Sequence, residues 1–363
     1  MPVKKYDAII IGAGPAGCSA GLKLAGERLK TLIVEKRKLP RLKVCAGLLP
    51  EAAIQVLEDY LNLKIAEHVF EEPKTVGLVY IPPSGFKNTV LKLNYQLYNI
   101  NRVEFDNWLA REAESKGVEI LQNTQPEKIE ENDKEVILKI TGGVTLKTSY
   151  LIGCDGVKSW TRRQLSNRKY ECAPVYQETY RLKEDQVHIV KPYFHIFLNG
   201  DICNLYSYMI LKKSRVILGT GNFNSEKVSA KTVHSMLKFK KFLEDQTPEF
   251  KKIFNQKPVR ELWFIPFFKP ETGRGRILLA GDAAGFVNPF SGEGIRLAVE
   301  SGVYAAEAII KNMFENGRVL EYYQRQVSQL IDFCERMRDY TVNLTELERE
   351  QYVKDMRAAS KNL

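Results

Sequence analysis

A glycine turn caught between a buried strand and a helix constrains this chain more than any other feature. Residues 6–11 (Tyr-Asp-Ala-Ile-Ile-Ile) have the apolar-on-both-faces character of a buried parallel strand. Gly12-Ala13-Gly14-Pro15-Ala16-Gly17 follows at once, residues 15–26 read as a helix, and Thr31–Glu35 as a second buried strand. That is a βαβ unit. Each glycine has its own task in such a turn: the tight bend, the close approach of a pyrophosphate, and the packing of helix on strand. The phosphates then meet free backbone N–H groups and the positive end of the helix dipole. Pro15 suits the first helical turn, where its missing N–H is not needed. Glu35 closes the second strand 18 residues beyond Gly17, where its carboxylate can accept ribose hydroxyls. The glycine pattern alone is a weak signal; in this setting it points to a bound dinucleotide.

Beyond this unit, short alternating strands run from Lys74 to Leu97 around a Pro-Pro-Ser-Gly turn at 82–85. A helix is expected over 103–116 and a strand over Val118–Leu121. A hairpin is expected over Glu135–Leu146, turning at Gly142-Gly143, with a separate strand at Tyr150–Gly153. From Cys172 to Phe268, Tyr, Phe, Val, Ile and turn residues alternate in short runs, as in an antiparallel sheet, with one basic helix near 231–245. The buried-strand signature returns at Ile277–Asp282, a helix starts near Gly294, and residues 318–360 read as helical.

Gly281-Asp282-Ala-Ala-Gly-Phe-Val-Asn288-Pro289 decides which dinucleotide. It sets an acid at the C-terminal end of a strand, where Asp282 can bond a ribityl hydroxyl. Ser291-Gly292-Glu293-Gly294 then opens a helix whose N-terminus would favour the anionic edge of a reduced flavin by about 1 kcal/mol. Together with the Gly-Pro-Ala-Gly form of the first turn, this favours FAD over NAD.

The formal net charge of +10 calls for a partner or a reason. Lys23 to Lys43 holds eight basic residues against Glu27 and Glu35, and a second run comprises Lys158, Arg162, Arg163, Arg168 and Lys169. Such charge suits phosphate-bearing cofactors, diphosphate substrates or anionic lipid, or is simply a solvated face. No nucleic-acid module is present. Six scattered cysteines without a CxxC pair argue against a metal site or a disulfide framework, and for a reducing cytosol. The uncharged stretch from Ala8 to Leu22 imitates a signal peptide, but its glycines and Pro15 fit strand and turn better. No other uncharged run approaches a membrane span; peripheral membrane contact and the oligomeric state stay open.

Three motifs, Gly12–Gly17 with Glu35, Gly153-Cys-Asp155-Gly156, and Gly281-Asp282 with Asn288-Pro289, resemble the flavoprotein superfamily that contains p-hydroxybenzoate hydroxylase. Within it, Lys43-Val-Cys45-Ala46-Gly47, Asn101-Arg102-Val-Glu-Phe105-Asp106 and Pro289-Phe-Ser-Gly-Glu-Gly-Ile295 resemble the geranylgeranyl reductase family. The fold this implies is α/β (α+β overall): a Rossmann-like FAD-binding domain interrupted by an antiparallel β-sheet substrate domain, with C-terminal helices. The FAD domain is expected over 1–72, 98–168 and 272–315, the substrate domain over 73–97 and 169–271, and the helical region over 316–363.

The resemblance implies a flavin that reduces isolated carbon–carbon double bonds of an isoprenoid lipid, re-reduced by NADPH or a ferredoxin-like carrier. It places Ala46 and Gly47 beside the isoalloxazine, Arg102 on FAD, Gly294 and Ile295 near the ring, and Cys45 facing it as proton donor or alkene-positioning group. Cys45 can equally be a small buried hydrophobe. One stretch departs from the family pattern: Tyr206-Ser-Tyr208-Met-Ile-Leu stands where Tyr-x-Trp-x-Phe-Pro is usual. Tyr206 and Tyr208 belong to the substrate pocket or to an ordinary strand core. The alternatives are a flavin monooxygenase acting on a lipophilic substrate and a non-enzymatic prenyl-binding protein, which would have lost the flavin contacts.

Overall fold

The computed structural model describes residues 3–85, 91–223, 228–315 and 318–361. The chain runs β1 (Lys4–Ile11), α1 (Pro15–Gly26), β2 (Thr31–Val34), β3 (Leu48–Pro50), α2 (Glu51–Leu61), β4 (Phe70–Ile81) and β5 (Leu91–Ile100). It continues through α3 (Arg102–Ser115), β6 (Glu119–Leu121), β7 (Pro126–Glu131), β8 (Val136–Ile140), β9 (Val144–Gly153) and α4 (Trp160–Leu165). The central part holds β10 (Cys172–Arg181), β11 (Tyr193–Phe197), β12 (Ser207–Lys212), β13 (Arg215–Gly221), α5 (Val228–Gln246), α6 (Phe250–Phe254) and β14 (Val259–Pro266). Then come β15 (Gly273–Arg274), β16 (Ile277–Leu279), α7 (Ile295–Glu315), α8 (Val319–Asn343) and α9 (Glu346–Lys361).

The fold is α/β with two sheets. In the first the order is β15-β16-β9-β1-β2-β6, with β8 and β7 continuing from β9. β1 lies parallel to both β2 and β9, and β16 parallel to β9. Parallel strands end on the same edge of a sheet, so the residues just past β1, β2, β9 and β16 converge there. These are the glycine turn, Glu35, Cys154–Asp155 and Gly281–Asp282. The strand expected separately at Tyr150–Gly153 is the far half of β9. Its near half pairs antiparallel with β8, and its far half pairs parallel with β1 and β16, so one strand serves both the hairpin and the central sheet.

In the second sheet the order is β14-β10-β13-β12-β11-β4-β5-β3. Most pairs are antiparallel, but β11 lies parallel to β4, from Tyr193↔Gly77 to Phe197↔Ile81. Residues 48–50 join this sheet by pairing with β5, which brings the segment around Cys45 against it. One face packs on α5 and α6 through Phe197, Met209, Leu218, Met236 and Phe239. The other carries Leu78, Leu97, Phe194, Ile196 and Tyr208 and is met by Val353, Tyr352 and Met356 of α9. The packing of α1 on α7 depends on Gly302, because a Cβ there would strike the Ala16 carbonyl.

Candidate functional site

A cavity of about 700 Å³ runs from the glycine turn to the inner face of the second sheet. Of the residues singled out by sequence, Gly12, Gly14, Pro15, Ala16, Glu35, Cys45, Ala46, Arg102, Asp282, Gly294, Ile295, Tyr206 and Tyr208 line it; Gly17, Gly47 and Pro289 do not. The three glycines of the turn separate by geometry. Gly12 has φ +105°, and a Cβ on it would lie 2.5 Å from the Cys154 carbonyl oxygen. A Cβ on Gly17 would strike the Gly12 carbonyl, which is the close helix–strand packing. At Gly14 the nearest atom is Arg41 Nη2 at 3.6 Å, so the backbone there lies open beneath the start of α1.

Glu35 is buried and already engaged: one carboxylate oxygen accepts from Ala13 N, the other from Arg37 N, both at 2.9 Å. Arg41 sits above the turn, 3.4 Å from Glu35, donating to Asp106 at 3.1 Å and to the Ala13 carbonyl at 3.3 Å. Sequence reasoning counted Arg41 only as one charge in a basic run; its spacing from Glu35 carried no signal for this placement. Asn101 caps α3 by accepting from Val103 N and Glu104 N, and so starts the helix at Arg102. Arg102 is buried and bonds Asp106 through Nε and Nη2. Burial works against the charge on Arg102, but Asp106 and Cys45 outweigh it and hold the guanidinium protonated more firmly than usual.

Asp282 lies at the mouth of α7, its Oδ1 3.5 Å from where a Cβ on Gly294 would stand. Lys43 approaches it at 3.7 Å and covers the Trp263 ring at 3.9 Å. The second basic run divides. Arg162 is fully buried, its guanidinium lying against the adjoining rings of Tyr170 and Phe268, and donates to the carbonyls of Ala283 and Val157 at 2.6 and 2.7 Å. It therefore ties the segment after Asp155 to the Asp282 loop, while Lys158 and Arg163 line the cavity. Asp155 accepts from Ser159 and Thr161 and so stabilises the start of α4. Arg162→Met is expected to lower stability by about 3 kcal/mol, because two buried carbonyls lose their donor. Urea denaturation reads this; a change under about 1 kcal/mol would show that water replaces the guanidinium.

Around Cys45 the chemistry concentrates. Burial alone would raise its thiol, but the Arg102 charge, the Gly47 N–H at 3.3 Å, a hydrogen bond from Arg102 and the Lys43 charge together bring it below the usual thiol range. Tyr206 and Tyr208 are both held protonated by burial, with Cys45 adding to the effect. Tyr208 donates to Gln177 at 3.0 Å, and its ring occupies the space a Cβ on Gly219 would need. The Tyr206 hydroxyl lies against Gly292. Lys212 is buried beneath this loop, a residue that sequence reasoning did not single out.

Residues 5–256 match the family model described as FAD binding domain. The chain belongs to that family. FAD fits the residues present: an open backbone at Gly14 on the positive end of α1, a buried acid after β2, the Arg41 guanidinium over the turn, and Asp282 at the mouth of α7. The FAD-binding chain is 27% identical over 347 residues to geranylgeranyl diphosphate reductase of Arabidopsis thaliana, covering 89% of this chain and 70% of that one. A geranylgeranyl bacteriochlorophyll reductase-like protein from Thermoplasma acidophilum shares its fold with a TM-score of 0.80 at 20% identity, covering 98% of this chain and 92% of that one. A probable FAD-dependent monooxygenase from Pseudomonas aeruginosa shares it at TM-score 0.73 and 16% identity, over 99% and 100% of the chains. Among the described residues no helix is long and apolar enough to cross a membrane, and no cluster of metal-ligating side chains is present.

Proposed function

We propose that this flavoprotein reduces isolated carbon–carbon double bonds of an isoprenoid lipid. The observation that carries the reading is the single cavity joining the nucleotide turn to an apolar wall, with Cys45 on its lining between the two. Leu78, Leu97, Phe194, Ile196 and Ile265 line the far half, a surface suited to a hydrocarbon chain rather than to a polar substrate. The similarity to a geranylgeranyl diphosphate reductase supports the same class. When bound and reduced, FAD supplies the hydride. An isolated alkene accepts hydride poorly, so the residues must hold the chain close and exclude water. Cys45 offers the proton for the second alkene carbon: with its acidity strengthened by Arg102 and Lys43, the thiol suits transfer nearer neutral pH than an ordinary cysteine does. Lys43, Lys158 and Arg163 on the cavity lining provide cations for a phosphate-bearing headgroup.

In this reading the cofactor domain and the substrate domain correspond to the two sheets, and FAD is re-reduced by NADPH or a ferredoxin-like carrier at a cytoplasmic, membrane-peripheral location. The test is anaerobic. Purified protein is reduced with dithionite and mixed with geranylgeranyl diphosphate, and flavin absorbance and lipid mass are followed. Reoxidation with products gaining two hydrogens per step is the expected result. Flavin that stays reduced until air is admitted, with oxygen then incorporated into the lipid, would replace this reading with a monooxygenase.

A further inference from the structure

Lys212 ends β12, buried to all but a few per cent, in a place no sequence motif marks. An ammonium group has three N–H donors. Lys212 uses all three: on the Gly47 carbonyl at 3.0 Å, the Ile100 carbonyl at 2.8 Å and Asn99 Oδ1 at 2.5 Å. The Glu71 carboxylate stands behind it at 3.5 Å, and itself pairs with Arg215 at 2.7 Å. The acceptors come from two segments that must be held together for the site to exist. Gly47 closes the Cys45 loop, while Asn99 and Ile100 end β5, immediately before the cap that starts α3 at Arg102. The two segments touch directly as well, through Ile100 N on the Gly47 carbonyl at 2.9 Å. Gly47 has to be glycine here. Its φ is +69°, and a Cβ would lie 2.5 Å from the Ile100 carbonyl oxygen and 2.6 Å from Lys212 Nζ.

We propose that Lys212 is a positioning residue of the reaction centre: by clamping the Gly47 loop to the end of β5 it fixes Cys45 against Arg102. The inference rests on the proton-donor reading of Cys45 for its purpose, but not for its test. The charged and titratable groups that act on Cys45 are Arg102 on α3, Lys43 on the preceding loop, Tyr206 just before β12, and Tyr208 and Lys212 on β12. Arg102 and Lys43 act from the cofactor side; Lys212 is the one cation among them that also holds the loop backbone. Burial lowers Lys212 to about 8 against the pull of Glu71 and Cys45.

The experiment measures the rate of Cys45 alkylation by iodoacetamide against pH in the FAD-loaded protein. Mass mapping of peptides separates Cys45 from the other five cysteines. Lys212→Met is expected to raise the midpoint by roughly one pH unit, which slows alkylation at pH 7 roughly tenfold. Lys212→Arg keeps the charge and returns the midpoint most of the way. Should the Met variant fail to fold, Lys212→Gln, which retains two of the three N–H donors, is expected to show a smaller displacement in the same upward direction. Midpoints in the neutral variants that coincide with the wild-type midpoint, with FAD retained, would overturn the proposal. Alkylation involves no lipid, so a protein that reduces no prenyl substrate but shows the displaced midpoint loses only the functional reading.

Discussion

Cys45→Ala is expected to keep its FAD and to lose two to four powers of ten in anaerobic alkene reduction, roughly the contribution of a positioned general acid. The side chain lines the cavity and accepts only from the Gly47 N–H and from Arg102, which keeps its pair with Asp106, so its removal leaves the glycine turn, Glu35 and Asp282 untouched. On the proposed function, what disappears is the proton source. Cys45→Ser separates acidity from size. A hydroxyl fills nearly the same space but lacks the acidity that Arg102 and Lys43 induce in a thiol, and it is expected to recover little of the rate. Single-turnover reoxidation of the reduced flavin by a prenyl substrate checks both variants, with bound FAD per chain read from absorbance. A rate within threefold of wild type in Cys45→Ala would move proton donation to another group, and the Tyr206 hydroxyl against Gly292 is the next candidate on the lining.

Legibility in the sequence follows the range of the interactions concerned. The βαβ unit was readable because its signals are local: an apolar run, three glycines at fixed offsets, a proline at the first helical turn. The Gly281–Asp282 loop was readable for the same reason. Arg162 looked like one charge in a basic run, yet it is a fully buried staple, because the Phe268 ring and the Ala283 carbonyl that it meets lie more than a hundred residues away. Lys212 was invisible on the same grounds: its acceptors lie more than a hundred residues away, at Gly47, Asn99 and Ile100. The parallel pairing of β11 with β4 likewise has no local signature, since alternation reports which face a residue takes and not the direction of its neighbour. The helix α2 also passed without an expectation, its start carrying no side-chain cap to announce it.

Gly14→Val is expected to give a folded chain that no longer retains FAD. The three turn glycines make this a sharp comparison, because they fail for different reasons. Gly17→Val drives its side chain into the Gly12 carbonyl, and Gly12→Val places a Cβ in left-handed backbone against Cys154, so both variants damage the fold itself. At Gly14 a Cβ meets only the tip of a flexible arginine at 3.6 Å, and the apo chain loses little. The isopropyl group instead occupies the opening above the α1 N-terminus, where a diphosphate would take hydrogen bonds from backbone N–H groups. Losing two such bonds to a charged group, at about 1.5–3 kcal/mol each, weakens FAD by roughly two to four powers of ten. Two measurements decide it: the flavin-to-protein absorbance ratio after gel filtration, and urea denaturation of the apo forms. Full flavin occupancy in Gly14→Val would show that the diphosphate does not sit on this turn. A collapse of apo stability as large as that of Gly17→Val would show that Gly14 packs rather than opens the site.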